Sequence, residues 1–108
     1  MLAESFILAW ALTHFACAII KPSIVKTMFG RRVKTWQTVL ALLLIGIATA
    51  FSIVLNAPAF YFILGVFELA SSVATYTHRI EWNVPENGQL TMSLLEFVAA
   101  TALISKIW

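Results

Sequence analysis

From Thr35 to Phe67 the chain carries 33 consecutive residues without an Asp, Glu, Lys or Arg. As a single helix they would reach ~50 Å, against a hydrocarbon core of ~30 Å. The break is written at "LNAPAF". Asn56 and Pro58 are turn residues, and Pro58 disfavours helix at Ala57. The run therefore reads as a hairpin, with helices near 38–55 and 59–77.

Composition puts that hairpin in a membrane. Of the 108 residues, 61% are hydrophobic and 11% are charged. A soluble domain of this size leaves too much surface exposed to hide such a chain. Ser5 to Ile20 is a second run without Asp, Glu, Lys or Arg, closed by Lys21-Pro22. It predicts a helix over about 3–20. Glu4 is its only early charge, so no basic leader region precedes it and a retained span is expected rather than a cleaved signal. A further apolar stretch, interrupted by Glu96, predicts a helix over about 89–107. The expected fold is all-α, a single domain over 1–108. It is an integral membrane four-helix bundle of two helical hairpins, with three spans plus an interfacial segment as the alternative. Pro85-Glu86-Asn87-Gly88 reads as a turn in the polar loop 78–88.

The loop 21–37 holds Lys21, Lys26, Arg31, Arg32 and Lys34 and no acid. Positive loops stay cytoplasmic, which places loops 21–37 and 78–88 inside and both termini outside. Apolar residues interleave with these cations, and such a segment can lie among anionic headgroups. Trp36 and Trp82 would flank the inner interface and Trp108 the outer one. Trp10 lies deeper and reads as packing. Nucleic acid is not an expected partner, because five cations beside a membrane are accounted for by lipid.

The ionisable residues inside the expected spans are His14, Glu68 and Glu96. Charged groups at such depth face a bundle interior or water, pair, or stay neutral. Steps of three and four from Glu68 give Tyr61, Leu64, Gly65, Ser71, Ser72 and Thr75, a small and polar stripe. Gly46, Thr49 and Ser52 form a similar stripe on the second helix. Small and hydroxyl side chains allow close helix contact and interhelical hydrogen bonds. The expected partners of the glutamates are Ser71, Ser72, Thr49 or Tyr61, or a basic group on a neighbouring subunit. The alternative is a proton or cation relay.

Glu68, Glu96 and His14 could ligate a metal, but no paired Glu-x-x-His spacing supports it, and a second axial histidine for haem is missing. Cys17 is the sole cysteine, so no intramolecular disulfide is possible. The sequence has no phosphate loop, nucleophile elbow, Cys-x-x-Cys or HExxH. No cofactor, no metal and no catalysis by the chain alone are expected.

"LNAPAFYFILGVFEL" resembles a segment in small four-helix membrane proteins of the DoxX-like group, where a Pro-aromatic stretch leads into a helix with Gly, an acid and Leu. The segment falls on the third helix here and on the second in that group, and no function is carried over from it. The expected role is an accessory or scaffold subunit of a larger membrane complex, in contact with lipid and with other membrane subunits or copies of itself. The alternative is a small proton- or cation-coupled transporter, channel or holin-like pore, built as a homo-oligomer around Glu68 and Glu96.

Overall fold

A computed structural model describes residues 2–107; Trp108 lies outside the described residues. Four helices carry the chain: α1 (Leu2–Ile20), α2 (Thr35–Leu55), α3 (Pro58–Tyr76) and α4 (Glu86–Ser105). Each is long and apolar enough to cross a membrane. The two connections at one end also fold. They contribute β1 (Val25–Met28), β2 (Arg31–Arg32) and β3 (Ile80–Trp82) to a small antiparallel sheet of order β2-β1-β3. The molecule measures 36 × 25 × 20 Å.

Local chemistry sets the boundaries. α2 begins three residues earlier than the sequence suggests, because Gln37 Oε1 accepts a bond from the Lys34 backbone N–H at 3.0 Å. That contact supplies half of a capping box. α2 ends at Asn56, which adopts the left-handed conformation (φ 47°) and donates its N–H to Ser52 O. Pro58 then opens α3, where its missing N–H costs nothing. The Pro85–Gly88 turn expected as a loop is instead the first turn of α4, with Gly88 N bonded to Pro85 O at 2.7 Å.

The sheet was not anticipated in loops 21–37 and 78–88. β1 and β2 form a hairpin pairing Thr27 with Arg32 and Met28 with Arg31. Phe29 and Gly30 make its two-residue turn, both at positive φ (54° and 80°). That combination matches the right-handed twist of paired strands. β3 joins the other side of β1, with Met28 opposite Ile80 and Val25 opposite Trp82. The sheet ties the two connections together, and Lys21 Nζ adds a bond to Asn83 O at 2.9 Å.

Helix packing departs from a simple sequential hairpin. α3 packs chiefly on α4 and α1 chiefly on α2, while α1 against α4 joins the two pairs. The consecutive helices α2 and α3 touch little beyond their shared turn. The core has two apolar layers. Ile7, Tyr61, Leu64 and Leu103 fill the end away from the sheet, and Ala18, Ile24 and Leu42 fill the sheet end. At the far end Lys106 Nζ pairs with Glu4 Oε1 at 2.7 Å, a contact the sequence reading missed. That bond holds the Lys106 ammonium above its ordinary pKa.

Gly65 sets how closely α3 and α4 approach. A Cβ there would meet Ile104 Cγ1 at 2.6 Å and Ala100 O at 3.5 Å. Gly46 does the same between α2 and α1, where a Cβ would sit 3.1 Å from the Phe15 ring. Gly65→Leu should therefore destabilise the bundle by about 1–3 kcal/mol through overpacking, read from denaturation in detergent. Gly46→Ala should cost less, because the Phe15 ring can shift.

Candidate functional site

The polar side chains of the bundle meet in a layer between its two apolar ends. Glu68 and Glu96 are buried, at 2% and 4% exposure, as are Ser72, Thr75 and Ser93. The reason is helical spacing: Tyr61, Leu64, Gly65, Glu68, Ser72 and Thr75 all fall on the buried face of α3. On α4 the buried face is Ser93, Glu96, Ala99, Ala100 and Leu103. Gly46, Thr49 and Ser52 lie on the buried face of α2, and Ser71 is half-buried on α3.

Ser72 and Ser93 bridge α3 and α4 reciprocally. Ser72 Oγ donates to Ser93 O at 2.8 Å, and Ser93 Oγ donates to Ser72 O at 2.9 Å. Two hydroxyls thus satisfy each other's backbone, which requires close helices and no bulky side chain between them. One turn along α3, Thr75 Oγ1 donates to Glu96 Oε1 at 2.8 Å and accepts from Trp82 Nε1 at 3.1 Å. Gln89 completes the seam. Its Nε2 donates to the carbonyls of Thr75 (2.9 Å) and Ile80 (2.6 Å), and its Oε1 accepts from Trp82 N. The seam therefore joins α3, β3 and α4.

Glu68 has a different partner. Trp10 Nε1 on α1 donates to Glu68 Oε1 at 3.3 Å. Trp10 is thus a polar contact as well as packing. Three of the partners expected from the sequence bond elsewhere: Thr49 to its own helix at Ile45 O, Ser72 to Ser93, and Tyr61 to Asn56; Ser71 lines the cavity with the glutamates. The register between helices decided this, and periodicity along one helix does not report it. His14 is half-buried, with Nδ1 2.8 Å from Trp10 O and its ring edge-on to the Trp10 indole. Because a carbonyl only accepts, Nδ1 carries the hydrogen in this contact.

These groups border a cavity of about 690 Å³. His14, Glu68 and Glu96 all line it, on α1, α3 and α4. The rest of the wall is mainly apolar, from Leu42 and Ile45 on α2, Phe67 on α3, Leu95 on α4 and Ile24 and Ile80 at the sheet end. The cavity occupies space between α2 and α3, which pack on each other far less than α1 on α2 or α3 on α4. Arg31 and Arg32 reach its border from the exposed edge of the sheet. Among the described residues, no three His, Cys, Asp or Glu side chains are grouped to hold a metal ion.

The remaining residues singled out in the sequence sit at the sheet end. Lys21, Lys26, Arg31, Arg32 and Lys34 are exposed there, and Trp36 is exposed in the first turn of α2. Trp82 is half-buried with its indole turned to Thr75. Fold and site together describe a helical bundle with four helices apolar enough for a membrane and a polar layer beside a half-open cavity. Comparison with protein families, with characterised proteins and with solved structures finds no match.

Thr75→Val should remove the donor to Glu96 and the acceptor of Trp82 at once. The expected loss is about 1–3 kcal/mol for leaving buried polar groups unpaired, measured by unfolding in detergent. Thr75→Ser should recover most of it, because the hydroxyl is retained.

Proposed function

We propose that this chain is an accessory subunit embedded in a larger membrane assembly, acting through its helix faces rather than by catalysis. The observation that supports this reading is the division between inside and outside. Polar side chains are spent inward, on Ser72–Ser93, Thr75–Glu96 and Trp10–Glu68. Outward faces are apolar: Leu40, Leu44, Ile47 and Phe51 on α2, Phe62, Ile63 and Val66 on α3, and Leu94, Phe97 and Val98 on α4. Such surfaces contact lipid or other spans, and the folded part outside the helices is a three-stranded sheet. Glu68 and Glu96 then serve to fix helix register.

The sheet end lies on the cytoplasmic side in this reading. It gathers Lys21, Lys26, Arg31, Arg32, Lys34 and Arg79 against Glu81 and Glu86. The excess of cations favours retention inside and contact with anionic lipid. Both termini then lie outside.

A second reading, a proton- or cation-coupled transporter working as a homo-oligomer, draws on one observation: His14, Glu68 and Glu96 share a cavity. The two readings part at Glu68. A packing residue tolerates Gln, which keeps a hydrogen-bonding amide, and loses assembly with Leu. A relay loses activity with Gln and keeps assembly.

Purification from native membranes in mild detergent should yield larger subunits in fixed stoichiometry, retained with Glu68→Gln and lost with Glu68→Leu. A ring of this chain alone would refute the accessory role. Topology is checked with Ser23→Cys in a Cys17→Ala background. A membrane-impermeant maleimide should label position 23 from the cytoplasmic side only, and labelling in intact cells would invert the assignment.

A further inference from the structure

The cavity has the size of a small-molecule site, and its chemistry narrows what such a molecule is. Ligand pockets commonly enclose ~300–1,000 Å³, are mainly apolar and hold a few convergent polar groups. The 690 Å³ space here fits that description, with Glu68, Glu96 and His14 among its polar groups. A wall of Leu42, Ile45 and Phe67 offers water few partners, so an apolar occupant suits it better.

Donor and acceptor accounting defines the polar end. Neither Glu68 nor Glu96 is in an ion pair among the described residues; Lys106 pairs with Glu4 at the far end of the bundle. A carboxylate without a cation in apolar surroundings is costly, which favours the protonated form of each acid. The protein donates to each of them: Trp10 Nε1–H to Glu68 Oε1 and Thr75 Oγ1–H to Glu96 Oε1. In that form each acid has its own O–H left to give. His14 spends its Nδ1–H on Trp10 O, which leaves Nε2 without a hydrogen in the neutral ring.

We propose that the cavity binds a neutral, bilayer-soluble carbonyl compound, whose oxygen accepts from the Glu68 or Glu96 acid and whose apolar body fills the space toward α2. Entry is lateral, between α2 and α3, which pack on each other far less than α1 on α2 or α3 on α4. An anionic amphiphile fits less well. With its head at Arg31 and Arg32, its chain would lie against Glu68, Glu96 and His14 and give their remaining polar atoms no partner. With its head deep, it would meet two acids.

The test compares menadione with 2-methylnaphthalene, which has the same carbon skeleton without the carbonyls. The full chain is reconstituted in zwitterionic nanodiscs, with empty nanodiscs correcting for partition into lipid. Menadione binding is read by quenching of tryptophan fluorescence, since Trp10 and Trp82 line the cavity, and the hydrocarbon is read by competition. Menadione should bind saturably and about tenfold tighter than the hydrocarbon, the equivalent of one hydrogen bond to a buried partner. Glu96→Gln, whose amide still donates, should keep the preference, and Glu68→Leu combined with Glu96→Leu should abolish it. Ala41→Phe provides a test that leaves the acids intact: Ala41 lines the cavity from α2, and the larger side chain should weaken both compounds. Equal affinity for the two compounds in the unmodified protein would overturn the proposal, as would binding unaffected by Ala41→Phe. Displacement of menadione by laurate at lower concentration would also overturn it, in favour of an anionic occupant held by Arg31 and Arg32.

Discussion

The contact between α3 and α4 determines the rest of the molecule. In a bilayer, apolar side chains gain little by leaving lipid for protein, so close packing and hydrogen bonds must hold helices together. Ser72 and Ser93 supply both, each hydroxyl bonded to the opposite backbone carbonyl. Gly65 lets the helices stay close a few turns away, beside Ile104. With that distance fixed, Thr75 can reach Glu96, and Trp82 can reach Thr75. The sheet is then anchored to the bundle through that shared hydroxyl and through Gln89, which bonds Trp82 N and Ile80 O.

The same arrangement accounts for the cavity. α1 is drawn to α2 at Gly46 and to α3 through the Trp10–Glu68 bond. α2 and α3 have no comparable device, and their tight turn at Asn56 joins them without pressing them together. Space is left between them, lined by acids on one side and aliphatic side chains on the other. A structural role for Glu68 and Glu96 and a ligand-facing role are compatible. One oxygen of each carboxyl holds a neighbouring side chain, and the acid group still borders the cavity.

The sequence disclosed the helices because their signals are long. A 33-residue charge-free run with a proline in it leaves few alternatives, and the spacing around Glu68 marks the face that is buried. The sheet was illegible because strands of four, two and three residues are too short for alternation to stand out. Phe29 at positive φ further hides the hairpin turn, since that position usually calls for Asn or Gly. The partners of the glutamates were missed for a different reason. Trp10 lies 58 positions from Glu68, and only the relative height of α1 and α3 brings them together. The Glu4–Lys106 pair had a usable signal, because a helix start and a helix end at opposite chain ends meet when an even number of helices alternates direction.

The bundle depends on α3 and α4 meeting at Ser72 and Ser93, and disulfide trapping tests that contact most directly. The variant carries Ser72→Cys and Ser93→Cys in a Cys17→Ala background and is oxidised in native membranes. The two hydroxyls lie 3.4 Å apart, so the thiols that replace them should close a bond within one chain. Mass spectrometry should then find both cysteines protected from alkylation until a reductant is added. Two free, alkylated thiols after oxidation, in a chain that remains folded, would contradict the seam and the packing derived from it.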